Sequence, residues 1–147
     1  MSRIHVNHIK TALFNLFDGK IDLSDYDKKT EEERQKAFNS RALAAYSIHI
    51  IASASIEDSA ASITDGYGDN GIDAVYYDDQ QNTLYLVQSK FIEEGTGEPE
   101  TGELRKFRDG IIDLIEERYD RFNEKLKKKL SIIKDAFNDS QIKINIL

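Results

Sequence analysis

Three side chains on two neighbouring apolar segments could do chemistry together: Asp73, Gln88 and Lys90. Asp73 opens the run Ile72–Asp78. Gln88 and Lys90 end the run Thr83–Phe91. Both runs are rich in Val, Ile, Leu, Tyr and Phe, as strands are. The four residues between them, 79–82, fit a hairpin loop. Side chains alternate faces along a strand, so Leu84, Leu86, Gln88 and Lys90 share one face, and Asp73, Val75 and Tyr77 share another. Pairing Asp78 with Thr83 sets Tyr77 against Leu84, Val75 against Leu86 and Asp73 against Gln88, with β-carbons roughly 5 Å apart. Lys90 then lies opposite Gly71. A one-residue slip would place Asp73 on the other side of the sheet. One face thus carries apolar residues at one end and a carboxylate, an amide and an ammonium at the other. Buried alone, such groups cost several kcal/mol, roughly 2–7 for a neutral polar group. A divalent cation would satisfy them. Mg²⁺ or Mn²⁺ takes oxygen ligands, which Asp73 and Gln88 can supply. Lys90 would orient a water or neutralise a phosphate oxygen.

The elements around this hairpin follow from periodicity. Ile4, Ile9, Leu13, Leu16 and Phe17 recur at helical spacing, and Asp18-Gly19 is a stop. Thr30 and Glu33 form a capping box ahead of a helix expected to run to about Ala54, its apolar side including Phe38, Leu43, Ala44, Tyr46, Ile48, Ile50 and Ile51. Ser55 and Asp58 repeat the signature for a short helix ending near Ile63. Residues 64–71 carry three glycines and form a loop. The segment 92–103 is acidic and Gly-rich. From Leu104 through Phe107, Ile111, Leu114, Phe122, Leu126, Leu130 and Ile133 to Phe137 the spacing of three and four is helical, weakest near Arg118, and its length fits either two helices or one projecting helix. Its apolar stripe is a candidate surface for a homodimer. Ile142, Ile144 and Ile146 alternate as in a strand. Because the chain stops on this strand, it reads as the front part of a longer protein. The expected organisation is an N-terminal helix and connector over residues 1–30, then an α/β domain over 31–147.

The stretch Asp69-Asn70-Gly71-Ile72-Asp73 … Leu86-Val87-Gln88-Ser89-Lys90 resembles the PD-(D/E)XK nuclease signature in its Gln-x-Lys form, typical of Mrr-like restriction enzymes. The wider order is similar to the N-terminal part of abortive-infection phage-resistance proteins of the AIPR type. It runs from Ser40-Arg41-Ala42-Leu43 through Thr64-Asp65-Gly66 and Gly71-Ile72-Asp73 to Lys106-Phe107-Arg108-Asp109-Gly110, within residues 38–147. The resemblance implies a restriction-endonuclease-like core of helix, hairpin in a short mixed sheet, long helix and strand, with the family's first strand squeezed into 62–67. It implies a Mg²⁺-dependent endonuclease acting on nucleic acid, DNA foremost, in phage defence. Asp73, Gln88 and the Ser89 backbone carbonyl would hold the metal, Lys90 would help activate the attacking water, and Lys106 and Arg108 would contact nucleic acid. Many relatives add an acid from the first helix. Here that segment reads Phe38-Asn39-Ser40-Arg41, so Glu33, Glu57, Asp65 or Asp69 would have to substitute.

Simpler readings stand beside these. Asp73 could cap loop N–H groups, Gln88 and Lys90 could be an exposed strand end, and Asp65 and Asp69 could shape the loop. The loop is neither an EF-hand, since Asn70 and Tyr76 stand where Gly and Glu are required, nor a P-loop. His5, His8 and His49 have no ligand spacing. Lys125, Lys127, Lys128 and Lys129 read as a solvated helix face, and Glu93, Glu94, Glu98, Glu100 and Glu103 as solvated charge.

Composition sets limits. Cysteine is absent, which excludes disulfides and cysteine-ligated metals and fits a reducing cytoplasm. No apolar run is long enough to span a bilayer. The formal net charge of −7 argues against binding nucleic acid by bulk electrostatics and favours the alternative of a catalytically inactive nuclease-like module for nucleic acid or a protein partner.

Overall fold

A computed structural model describes residues 3–147. Among them are six α-helices and a three-stranded mixed sheet. The helices are α1 (Arg3–Phe17), α2 (Glu31–Ile51), α3 (Ile56–Ala61), α4 (Thr101–Ile115), α5 (Glu124–Lys127) and α6 (Leu130–Asn138). The strands are β1 (Ala74–Asp78), β2 (Thr83–Val87) and β3 (Lys143–Ile146). Sheet order is β1-β2-β3, with β1 antiparallel and β3 parallel to β2.

Alternation along the strands separates two cores. Ala74, Tyr85 and Val87 pack against Leu13, Phe17, Ala45 and Ile48 from α1 and α2. Val75, Leu84 and Leu86 pack on the other face against Phe107, Leu114, Phe122, Leu126 and Ile133. β2 lies between two strands and two helical layers, so all five of its residues are buried, as a central strand requires. The N-terminal helix and connector, expected ahead of the domain, contribute Leu13, Phe17 and Ile21 to the first core.

Both expected helix starts form. Thr30 accepts from the Glu33 N–H while Glu33 accepts from that of Thr30. Ser55 accepts from the Asp58 N–H. Helix α2 stops at Ile51, short of Ala54, and Ile50 and Ile51 point to solvent, contrary to the apolar face expected of them. The hairpin takes the expected register, Asp78 with Thr83, Tyr77 with Leu84 and Val75 with Leu86. The ladder ends one pair early. The Asp73 N–H donates to the Val87 carbonyl, and Val87 is already paired with Ala74, so Asp73 does not sit opposite Gln88 in regular register. The first strand looked for at 62–67 is a single bridge, Ile63 with Ala74.

The helical stretch expected to Phe137 is not one projecting helix but breaks near its expected weak point at Arg118. Helix α4 ends at Ile115, Glu117 turns left-handed with φ of 60°, and the chain folds back through a short 3₁₀ turn (Tyr119–Arg121) into α5 and α6. Phe107, Leu114, Phe122, Leu126 and Ile133 therefore fill this chain's own core. Much of the apolar stripe that suggested a dimer surface is thus buried within this chain, while Leu104 stays exposed. No helix among the described residues is long and apolar enough to cross a membrane.

Candidate metal centre

Residues 64–73 leave α3, loop out and return as the lead into β1. Three aspartates recur at every fourth position, Asp65, Asp69 and Asp73. The loop brings one carboxylate oxygen of each within 4.8 Å of the others. They line a cleft of about 550 Å³ together with Gln88, Ser89, Lys90, Glu103 and Lys106.

Each carboxylate has a different counterpart. Asp65 Oδ2 accepts from Arg41 Nε at 2.7 Å. Arg41 is fully buried. Its other nitrogens grip both oxygens of Asp25 and the Asp22 carbonyl, and its guanidinium lies over the Tyr26 ring. Burial opposes its charge, yet the Asp25 and Asp65 carboxylates outweigh burial and raise its pKa above the usual range. Asp69 is buried. Its Oδ1 accepts from the Gly71 N–H at 2.8 Å and from Lys106 Nζ at 2.7 Å, so it both shapes the loop and holds an ammonium. Asp73 takes only the Ser89 N–H, at 2.7 Å, and no ammonium or guanidinium bonds it.

Asp73 is therefore the carboxylate least compensated. At an effective dielectric near 20, two charges this close repel by roughly 3–4 kcal/mol. Burial first, then the charges of Asp65 and Asp69, push its pKa up to about 7, against the Ser89 hydrogen bond that pulls it down. Between pH 4 and 7 the folded protein holds a proton here that the unfolded chain has released, so stability falls as pH rises through this window. Carboxylates held below their usual range, such as Asp25 through its Arg41 hydrogen bonds, act at lower pH. We expect the urea midpoint of the metal-stripped protein to drop between pH 5 and 8, and Asp73→Asn to flatten that slope. An equally steep slope in the variant would refute the assignment.

The remaining expected residues are brought in, with changed partners. Gln88 donates its Nε2 to the Glu103 carbonyl at 3.1 Å, which leaves its amide oxygen for a cation. Ser89 donates its hydroxyl to the Ser40 carbonyl at 3.1 Å, tying this strand end to α2. Lys90, expected opposite Gly71, instead pairs with Glu103 at 2.5 Å, which keeps Lys90 firmly protonated. Lys106 reaches the cleft. Arg108 does not line it and pairs with its exposed neighbour Asp109. Glu33 and Glu57 are spent on the Thr30 cap and on Lys20.

Sequence reasoning missed Arg41, Glu103 and Lys125. Arg41 did carry a signal: Phe38, Arg41, Ala45 and Ile48 follow helical spacing on the buried side of α2. Glu103, counted as solvated charge, holds both Gln88 and Lys90. Lys125, counted as a solvated face, donates to the Asp65 carbonyl at 3.0 Å.

The candidate ligands that line the cleft with Asp73 are oxygen donors, the Asp65 and Asp69 carboxylates and the Gln88 amide. That chemistry fits Mg²⁺ or Mn²⁺ and does not suit softer metals. A scan against protein-family models, a search of curated proteins and a search of solved structures each find no match to the chain.

Proposed function

We propose that the cleft is the centre of a Mg²⁺- or Mn²⁺-dependent nuclease that hydrolyses phosphodiester bonds, of the restriction-endonuclease type, serving phage defence. The observation that carries this reading is the convergence of Asp65, Asp69 and Asp73 in a cleft shared with Gln88 and Lys90. Asp73, Asp69 and Asp65, with the Gln88 amide oxygen and the Ser89 carbonyl, would hold the cation. A bound cation supplies charge against a phosphoryl oxygen and makes its water more acidic.

The chain's own residues do the rest. Lys90 is half-exposed at the cleft and protonated, so it can give up Glu103 for a phosphate oxygen and neutralise charge that develops there. Glu103 holds that ammonium in place beforehand. Arg41 fixes Asp65, and the Ser89 N–H fixes Asp73, so two of the carboxylates are oriented before any ligand arrives.

A second reading draws on Lys106. Its ammonium already bonds Asp69 and partly neutralises the cluster, as it would in an inactive module that binds nucleic acid or protein without metal. Calorimetry separates the two. Mn²⁺ titrated into the protein at pH 8 should release or absorb heat with a one-site isotherm, and Asp73→Asn should weaken it at least tenfold. Titrations without heat at several temperatures, or identical isotherms for both proteins, would favour the inactive module.

A further inference from the structure

The glycine-rich turn between two of the cluster aspartates displays one aromatic ring. The Asp69 N–H donates to the Gly66 carbonyl at 3.1 Å and closes a four-residue turn. Gly68, at its third position, has φ of +77°, as a type II turn demands. The Gly66 N–H donates back to Asp69 Oδ2 at 3.3 Å, which braces the turn a second time. Tyr67 stands at the tip, fully exposed at 103%. It is two residues, at most about 7 Å of chain, from both Asp65 and Asp69. Lys106 lies on the Asp69 side of the turn and Lys125 on the Asp65 side.

We propose that Tyr67 is the platform on which an unpaired nucleobase of the substrate stacks, which makes single-stranded or locally opened nucleic acid the preferred substrate of the cleft. The inference rests on the nuclease reading and adds the substrate class to it. Its physical basis is threefold. An aromatic side chain on a braced turn has only two torsions to immobilise, so little entropy opposes its contact with a base. Stacking on one ring contributes roughly tenfold or more in affinity and tolerates any base. A chain of net charge −7 gains little from bulk phosphate neutralisation, so a contact that does not depend on charge adds to what Lys90 and a cation would supply locally.

The chain contains no tryptophan, so Tyr67→Trp installs a single fluorescent reporter at the turn. Labelled oligo-dT, an abasic deoxyribose-phosphate strand of the same length and a duplex are titrated in Ca²⁺. Strand anisotropy reports binding, and tryptophan emission reports stacking. Oligo-dT should bind and quench the emission. The abasic strand and the duplex should bind about tenfold more weakly and leave the emission unchanged. In the otherwise native protein, Tyr67→Ala should lose about tenfold for oligo-dT alone, and Tyr67→Phe should retain binding. Equal binding of all three ligands with unchanged emission would overturn the proposal and leave the nuclease reading standing. Failure of every strand to bind, in native protein and variants alike, would sink both. Tyr67 is fully exposed and, among the described residues, its side chain makes no hydrogen bond or ring contact, so equal urea midpoints should show that these variants fold alike.

Discussion

Lys90→Ala should lower metal-dependent cleavage by about 10²–10³-fold and leave the fold intact, the magnitude seen when a single pre-positioned donor to developing charge is removed. The two halves of this expectation have different sources. Lys90 is at the cleft mouth, and its one strong partner is Glu103, itself partly exposed. An ion pair of that kind contributes little to stability, about 0–1 kcal/mol. Its removal should therefore leave the urea midpoint nearly unchanged. The loss in rate comes from the ammonium that would otherwise face the phosphate. Lys90→Arg should recover part of the activity, because the charge remains although its shape differs. Full cleavage by Lys90→Ala would remove this residue from the chemistry.

Gly110→Ala should be clearly destabilising, although alanine is ordinarily the better helix former by about 1 kcal/mol. Gly110 lies inside α4, where a β-carbon would stand 2.0 Å from the Asn70 carbonyl oxygen. That oxygen belongs to the backbone of the aspartate loop, so a rotamer change cannot relieve the clash. Helix and loop have to separate. From the loop side, Gly71 repeats the constraint: at φ of +80° its β-carbon would stand 2.7 Å from the Phe107 nitrogen. These two close approaches, of Gly110 to the Asn70 carbonyl and of Gly71 to the Lys106–Phe107 backbone, set α4 against the loop, which brings Lys106 to Asp69 and Glu103 to Lys90. Asn70 adds an Nδ2 hydrogen bond to the buried Asp113. We expect Gly110→Ala to cost roughly 1–3 kcal/mol, as overpacking does, and to lower the melting temperature by about 3–10 °C. A rise in melting temperature would mean that helix and loop are not in backbone contact.

These effects also show what a single sequence discloses. The hairpin was legible because its signal is local: two short apolar runs, four residues apart, with a polar pattern that fixes the register. Both helix caps were legible for the same reason. The end of the ladder was not, because Asp73 is drawn out of register by bonds to distant partners. Its carbonyl accepts the N–H groups of Thr64 and Asp65, and its own N–H goes to Val87. The break after Ile115 showed only as a weak point near Arg118, since apolar spacing continues across it. What turns the chain is Asp113, buried and held by Arg118 and Arg121, which folds the following segment back onto the core. In the site, Asp73, Gln88 and Lys90 were found from strand parity, whereas Arg41 with Asp65 and Glu103 with Lys90 join residues 24 and 13 apart, across elements whose packing no periodicity encodes. The aspartates at 65 and 69 were visible as loop acids. Their convergence with Asp73 needed the fold.

The central claim is that the aspartate cluster holds a divalent cation that drives phosphodiester cleavage. The most direct test is to incubate the protein with supercoiled plasmid and with single-stranded DNA, in Mg²⁺, in Mn²⁺ and in EDTA, beside Asp73→Asn. Cleavage in Mg²⁺ or Mn²⁺ that EDTA stops and Asp73→Asn lacks is the predicted result. Cleavage that persists in EDTA, or that Asp73→Asn carries out at the native rate, would contradict it.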